Sequence, residues 1–96
     1  MFEVEFHPKV AKEAKELLRT NLEFATEFKE YLKALNNEPY KFPKKKGKLK
    51  SCRALSFIVK SNTWQLIFRI IESRDTVEIL AIGLHDDAYS SAERRV

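Results

Sequence analysis

The chain has 96 residues, of which 44% are hydrophobic and 33% charged, and this composition predicts one globular domain over residues 1–96. No apolar run approaches the roughly 20 residues that a membrane-spanning helix needs. A single cysteine excludes an internal disulfide and favours the reducing cytoplasm, and one cysteine with two scattered histidines does not predict a zinc site. Eighteen Lys and Arg against 14 Asp and Glu give a net charge of +4, which favours an anionic partner.

The N-terminal third of the chain predicts one strand followed by two helices. Residues 2–6 alternate apolar and acidic side chains, as expected for a half-buried strand at the edge of a sheet. Pro8 suits the first turn of a helix, and Thr20-Asn21-Leu22-Glu23 has the form of a capping box that opens a second helix. Because almost nothing joins these helices, they should pack as an antiparallel hairpin.

A basic loop is expected between the second helix and the next strand. Its lysines are Lys41, Lys44, Lys45, Lys46, Lys48 and Lys50. Clustered lysines bind a polyanion without reading its sequence, which favours a flap that contacts phosphate groups. The alternative is an ordinary solvated loop, because many lysine runs are only that. Leu49 is expected to anchor the loop to the core.

Three further strands are expected at residues 53–59, 64–72 and 76–84. Turn residues at 61–63 and at Asp75 separate them, and such short connections are typical of an antiparallel meander. The N-terminal strand can join this meander at an edge while the helical hairpin covers one face. The predicted fold is therefore a two-layer α+β domain of order β-α-α-β-β-β-α with an antiparallel sheet.

The sheet face away from the hairpin is the natural place for a functional site. Gln65 and Arg69 share that face of their strand. Regular alternation in the last strand predicts a set of side chains in phase, namely Val77, Ile79, Ala81, Gly83 and His85. We therefore expect a concave, partly uncovered surface that carries Gln65, Arg69 and His85. Arg53 and Lys60 are expected at opposite ends of their strand.

A titratable cluster follows the last strand. His85 is followed by Asp86 and Asp87, and Tyr89 stands four residues beyond it. If one of the aspartates caps a helix that begins at Ala88, a single turn brings Tyr89 near His85. The plainer interpretation is that the aspartates serve only as a helix cap.

Three segments of the sequence carry a resemblance to a known family. They are Phe-His-Pro-Lys-Val-Ala-Lys-Glu at residues 6–13, Trp-Gln-Leu-Ile-Phe-Arg-Ile-Ile at 64–71 and Ile-Leu-Ala-Ile-Gly-Leu-His-Asp-Asp-Ala-Tyr at 79–89. In this order and spacing the chain resembles the RelE/ParE superfamily of type II toxins over essentially its whole length. Members are small basic toxins neutralised by a cognate antitoxin. Many cleave mRNA without metal, often in the ribosomal A site, whereas ParE-type members poison DNA gyrase.

The resemblance implies an RNA-cleaving toxin, since Gly83-Leu84-His85 followed by Tyr89 is similar to the YafQ and YoeB type, in which the equivalent histidine is catalytic. His85 would protonate the leaving 5′-oxygen and a cation would neutralise the phosphorane. The candidate catalytic residues are His85, Tyr89 and Arg69, and the candidate RNA-binding residues are Arg53, Lys60, Gln65, Lys44, Lys45, Lys46 and Lys48. Asp86 or Asp87 would orient the imidazole or act as the base.

The expected partners are a cognate antitoxin, in a toxin–antitoxin hetero-oligomer, and mRNA on the ribosome, with no cofactor or metal. Two departures from the family pattern favour an alternative. Gln65 stands where the family usually has an arginine, and Ala54, Ser56 and Ile58 occupy the place of the RelE lysine pair. The alternative is a ParE-like gyrase inhibitor, or a degenerate toxin that only binds its antitoxin.

Overall fold

The computed structural model describes the backbone of residues 1–96 and every side chain except that of His85. Helices and strands follow one another in the predicted order β-α-α-β-β-β-α. Their bounds are Glu3–Phe6 for β1, Pro8–Thr20 for α1, Leu22–Asn37 for α2, Arg53–Val59 for β2, Asn62–Ile71 for β3, Thr76–Leu84 for β4 and His85–Arg95 for α3. No helix in the described part of the chain is long and apolar enough to cross a membrane.

The sheet has the strand order β1-β4-β3-β2 and is mixed. The β2-β3 and β3-β4 pairs are antiparallel, so the predicted meander is confirmed. The expectation of an antiparallel sheet is wrong for β1, which runs parallel to β4 from Glu3↔Thr76 to Phe6↔Ile79. The reason is the long connection, because α1 and α2 run out and back before the chain enters the far edge at β2. Alternation within residues 2–6 carries no information about that direction.

Side-chain caps start both helices of the hairpin. The His7 Nδ1 atom accepts a hydrogen bond from the Lys9 N–H (3.2 Å), one residue before Pro8 opens α1 as predicted. The Asn21 Oδ1 atom accepts one from the Phe24 N–H (3.0 Å), so Asn21 is the N-cap of α2. The predicted capping box assigned this position to Thr20, whose hydroxyl instead donates to the Glu16 carbonyl at the end of α1.

The main hydrophobic core lies between the helical hairpin and one face of the sheet. Its helical side chains are Val10, Ala14, Phe24, Phe28 and Leu35. On the sheet, Leu66 and Phe68 are fully buried in this core and Trp64 and Ile70 pack against it. The predicted orientation of these four β3 side chains toward the helices is therefore confirmed.

A β-bulge in β4 changes which side chains face the hairpin. Ile67 pairs with Ala81 but Phe68 pairs with Ile79, so Leu80 is an extra residue. Ile79 faces the hairpin core, whereas Leu80 and Ala81 both belong to a second cluster on the other face. The expected unbroken alternation along β4 is wrong, because a bulge places two successive residues opposite one.

The second cluster covers much of the face that the sequence predicted to be open. Ala88 and Ala92 of α3 pack onto β3 and β4 there, and Leu49 and Cys52 complete the cluster. Leu49 is only 3% exposed, so the expected anchor of the basic loop is confirmed. This face stays open on β2, where Ile58 is 68% exposed.

The turn between β2 and β3 consists of two residues in the left-handed region. Lys60 has φ 49° and Ser61 has φ 67°, as in a type I′ hairpin turn, and β3 begins directly afterwards at Asn62. The turn expected at residues 61–63 therefore lies too far along the chain. The short I′ turn matches the twist of the strands, which offsets the strain of these two positions.

Replacing Ser61 by glycine is expected to raise the free energy of unfolding by about 1 kcal/mol, because a left-handed conformation strains any residue that carries a Cβ atom. Urea denaturation followed by Trp64 fluorescence measures the change. Ser61→Ala is the matched control, since it removes the hydroxyl but keeps the Cβ. Equal stability of the two variants would contradict the assignment of strain to this φ angle.

Candidate functional site

The strand β4 leads directly into α3, without the loop that a capping aspartate requires. The helix begins at His85, and Leu84 holds the N-cap position with no side-chain hydrogen bond. The expected helix start at Ala88 with an aspartate cap is therefore wrong. Asp86 and Asp87 lie within the first turn, where carboxylates stabilise the positive end of the helix. The predicted catalytic role of His85 concerns a side chain that lies outside the described part of the structure.

The first turn of α3 packs over Gly83 of β4. A Cβ atom built on Gly83 would lie 3.6 Å from the Ala88 nitrogen and 3.7 Å from the Asp87 Cβ atom. These are ordinary van der Waals distances, so the helix fills the space that was expected to be open above Gly83. The start of α3, and with it the backbone of His85, therefore lies close to the sheet at Gly83.

The basic loop and α3 meet at Tyr89. The Lys45 Nζ atom lies 4.6 Å from the centre of the Tyr89 ring, a cation–π distance. Two backbone hydrogen bonds hold this part of the loop against β2, from the Lys45 N–H to the Cys52 carbonyl (2.9 Å) and from the Ala54 N–H to the Pro43 carbonyl (3.1 Å). The structure therefore joins two separately predicted parts of the site, the lysine run and the residue one helical turn beyond His85.

Gln65 lies on the same face, in the β3 position paired with Gly83. Its side chain is 7% exposed, and its Nε2 atom donates to the Ser56 hydroxyl at 2.6 Å. The Oε1 atom is buried and has no hydrogen-bond partner among the described atoms. Gln65 and Ser56 thus form a small polar pair where the resemblance led us to expect cations.

Arg69 also lies on this face but is engaged by a carboxylate. Its Nε atom donates to Glu78 Oε1 at 2.7 Å across the β3-β4 pair. Both side chains are partly shielded from water, with exposures of 37% and 20%. The negative charge of Glu78 offsets the positive charge of Arg69. Arg69 is also five residues along β3 from Trp64, the partner of Leu84, so it lies about 17 Å along the sheet from the start of α3.

Arg53 and Lys60 end β2 at opposite ends, as predicted. The strand between them has seven residues, which separates the two side chains by about 20 Å. Arg53 Nη1 donates to the carbonyls of Tyr40 (3.1 Å) and Phe42 (2.8 Å), while Lys60 Nζ lies 3.9 Å from a Glu23 carboxylate oxygen. Because of this separation, Arg53 and Lys60 cannot act on the same phosphate group.

The remaining predicted lysines follow the loop toward α3. Lys44 forms a β-bridge with Arg53, and Lys46 and Lys48 have exposed side chains. Sequence reasoning missed a cleft beside this segment, whose walls include Tyr40, Lys50 and Glu72. Lys50 belonged to the lysine run, but only the folded loop shows which lysines share a cleft.

Cys52 is fully buried at the base of the loop. Burial raises the pKa of this thiol, so the reactive thiolate form is disfavoured. The expectation that Cys52 is a small buried residue and not a nucleophile agrees with this environment.

A family model described as the ParE-like toxin of type II bacterial toxin-antitoxin system matches residues 4–93 of the chain. A double-mutant form of the E. coli toxin RelE in the free state has a TM-score of 0.75 and 19% identity, over 99% of this chain and 97% of that one. RelE in the intact E. coli RelBE toxin-antitoxin complex has a TM-score of 0.69 and 16% identity, over 88% and 98%. The mutant toxin bound to an antitoxin RelBc peptide has a TM-score of 0.65 and 18% identity, over 99% and 97%. No curated protein matches the sequence.

Proposed function

The chain belongs to the family of ParE-like toxins of type II bacterial toxin-antitoxin systems, and we propose that it acts by cleaving RNA without a metal ion. The contact between Lys45 and Tyr89 is the observation that carries this proposal. It puts a cation and an aromatic ring side by side, one helical turn from the backbone of His85. Single-stranded RNA is commonly bound in this way, with cations on the phosphates and rings on the bases.

The proposed reaction is an attack of the 2′-oxygen on the adjacent phosphorus. The bond from phosphorus to the 5′-oxygen breaks, and His85 gives the leaving oxygen its proton. Asp86 or Asp87 takes the proton of the 2′-hydroxyl. Lys45 supplies positive charge beside the phosphorane. Arg69 takes no part in this step, because it pairs with Glu78 near the end of β3, whereas Leu84, the residue before His85, pairs with Trp64 near its start. The products are a 2′,3′-cyclic phosphate and a free 5′-hydroxyl.

A cognate antitoxin is the proposed protein partner. The E. coli toxin RelE has been solved in complex with its antitoxin, and it shares the fold of this chain. The lysines of the basic loop give this chain a positive surface beside α3. An acidic antitoxin segment bound there would offset the positive charge and block access to Tyr89.

The arrangement of the arginines favours a second candidate, a toxin that binds its target without cleaving RNA. Arg69 is paired with Glu78, and Arg53 is held by two backbone carbonyls. Lys60 lies at the far end of β2, so these three predicted cations do not converge on one phosphate. A ParE-like inhibitor of DNA gyrase would need no such convergence.

Mapping of mRNA 5′ ends in cells that express the chain tests the proposal. New 5′ ends inside coding sequences are expected within minutes of induction, because a nuclease acts directly on the transcripts. The same samples should be assayed for induction of the DNA damage response, which gyrase inhibition produces. Growth arrest with intact transcripts and an induced damage response would reject RNA cleavage and establish the second candidate.

A further inference from the structure

A polar cleft of about 160 Å³ lies at the N-terminal end of β2. Its walls include Tyr40, Lys44, Lys50, Ser51, Arg53 and Glu72. In the sheet, Arg53 pairs with Phe68 near the end of β3, whereas Leu84, the residue before α3, pairs with Trp64 near its start. The cleft is therefore at the opposite end of the sheet from His85, and the roles proposed above leave it without a ligand.

The cleft carries an excess of positive charge. Lys44, Lys50 and Arg53 line it together with a single carboxylate, that of Glu72. None of the ion pairs among the described side chains involves any of these three cations. A bound anion would therefore gain their attraction without having to break an existing ion pair.

Arg53 is held in a fixed orientation at the edge of the cleft. Its Nη1 atom donates to two backbone carbonyls, and its guanidinium lies 5.2 Å from the centre of the Tyr40 ring. No hydrogen bond within the described part of the chain uses its Nε or Nη2 atom. A guanidinium fixed in this way can donate two parallel hydrogen bonds to neighbouring phosphate oxygens.

Glu72 lines the cleft together with Tyr40. Desolvation raises the pKa of Tyr40, and a hydrogen bond with the Glu72 side chain raises it further. The phenol therefore stays protonated, and the single carboxylate of Glu72 offsets the positive charge of the three cations only in part.

We propose that this cleft binds a phosphate group of single-stranded RNA at a nucleotide other than the one that is cleaved, an inference that rests on the proposed function. A phosphate ligand has several oxygens that can accept hydrogen bonds from all three cations. A carboxylate ligand has only two oxygens, and one arginine is enough to bind both of them. The neighbouring lysines connect the two sites, since Lys44 lines the cleft and Lys45 contacts Tyr89. Successive side chains of an extended segment point to opposite sides, as expected for Lys44 and Lys45. An RNA strand that crosses the chain at these two lysines can therefore contact the cleft with one nucleotide and Tyr89 with another.

Titration of the ¹⁵N-labelled protein with inorganic phosphate tests the cleft alone. The amide signals of Lys44, Lys50, Ser51 and Arg53 are expected to shift in a saturable way. Sodium chloride and sodium acetate at equal ionic strength are the control titrations. Equal shifts with acetate would overturn the assignment to phosphate, and shifts spread over all surface lysines would overturn a specific site.

Binding of an all-2′-deoxy oligonucleotide tests the connection to the nucleic acid strand, since it lacks the hydroxyl needed for cleavage. The double variant Lys44→Gln/Lys50→Gln is expected to weaken binding by roughly three- to tenfold at low salt. A plot of the logarithm of the association constant against the logarithm of the salt concentration should also become less steep. The expected decrease in slope is about 0.7, the value for one phosphate contact with a single strand. Lys12→Gln/Lys15→Gln on α1 removes the same charge from exposed positions and is the matched control.

The outcomes separate this inference from the proposed function. If both double variants bind equally, the cleft is not a phosphate site, whether or not the wild-type chain cleaves RNA. If the cleft variant alone loses affinity and slope but the wild-type chain leaves RNA intact, the cleft assignment stands and RNA cleavage is rejected.

Discussion

Replacing His85 by alanine is expected to lower the rate of RNA cleavage by about 10²–10⁴-fold, the usual effect of removing a general acid. The loss follows from the proposed mechanism, because the 5′-oxygen is a poor leaving group unless it is protonated. The protein should stay folded, since alanine is well suited to the first turn of α3, where His85 lies. The initial rate of cleavage of a reporter mRNA gives the size of the effect, and circular dichroism checks the fold.

His7 offers a matched control because it is the other histidine of the chain. Its Nδ1 atom accepts a hydrogen bond from the Lys9 N–H and caps α1. Asparagine is an efficient N-cap, so His7→Asn should keep both the cap and full cleavage activity. A folded His85→Ala variant with undiminished activity would remove His85 from the mechanism and leave Lys45, Asp86 and Asp87 as the groups to test.

Replacing Phe24 by alanine is expected to lower the free energy of unfolding by about 3–5 kcal/mol. The Phe24 side chain is fully buried, and its ring centre lies 4.8 Å from that of Trp64, 5.5 Å from Phe28 and 5.6 Å from Phe57. It therefore joins α2 to both β2 and β3, and alanine would leave a cavity among three aromatic rings. Since a small domain has a stability of only about 5–15 kcal/mol, this one change removes a large part of it.

Leu22→Ala is the matched control in the same helix. Leu22 is 80% exposed, and substitutions at such positions usually change stability by less than about 0.5 kcal/mol. Urea denaturation followed by circular dichroism suits both variants, because the Phe24 change alters the surroundings of Trp64 and hence its fluorescence. A similar small loss in the two variants would show that the aromatic cluster does not form the centre of the core.

The sequence by itself determined the elements and the side chains that line the main core. The strands predicted at residues 53–59 and 76–84 have those bounds in the structure, and the helical hairpin begins at Pro8 as expected. These features are local, because a period of two or 3.6 residues, a proline or a polar cap acts within one or two turns of chain. The same patterns predicted that Leu66 and Phe68 face the helices, which the core confirms.

The candidate site was predictable only in part. The sequence identified Tyr89 and the lysine run as separate candidates, and it placed Arg53 and Lys60 at opposite ends of one strand. It did not predict the ion pair that engages Arg69, because that depends on the register of β3 against β4. Nor did it predict the cleft beside Lys44 and Lys50, whose walls come from segments far apart in the chain.

Only the tertiary structure decided how the elements meet. The bulge at Leu80 arises from pairing with β3, and the parallel direction of β1 arises from the path of the chain through the hairpin. The start of α3 at His85 and its packing over Gly83 depend on the sheet surface beneath the helix. The contact of Lys45 with Tyr89 joins residues 44 positions apart. Such contacts depend on which surfaces bury apolar area together, and no periodicity along a single segment contains that information.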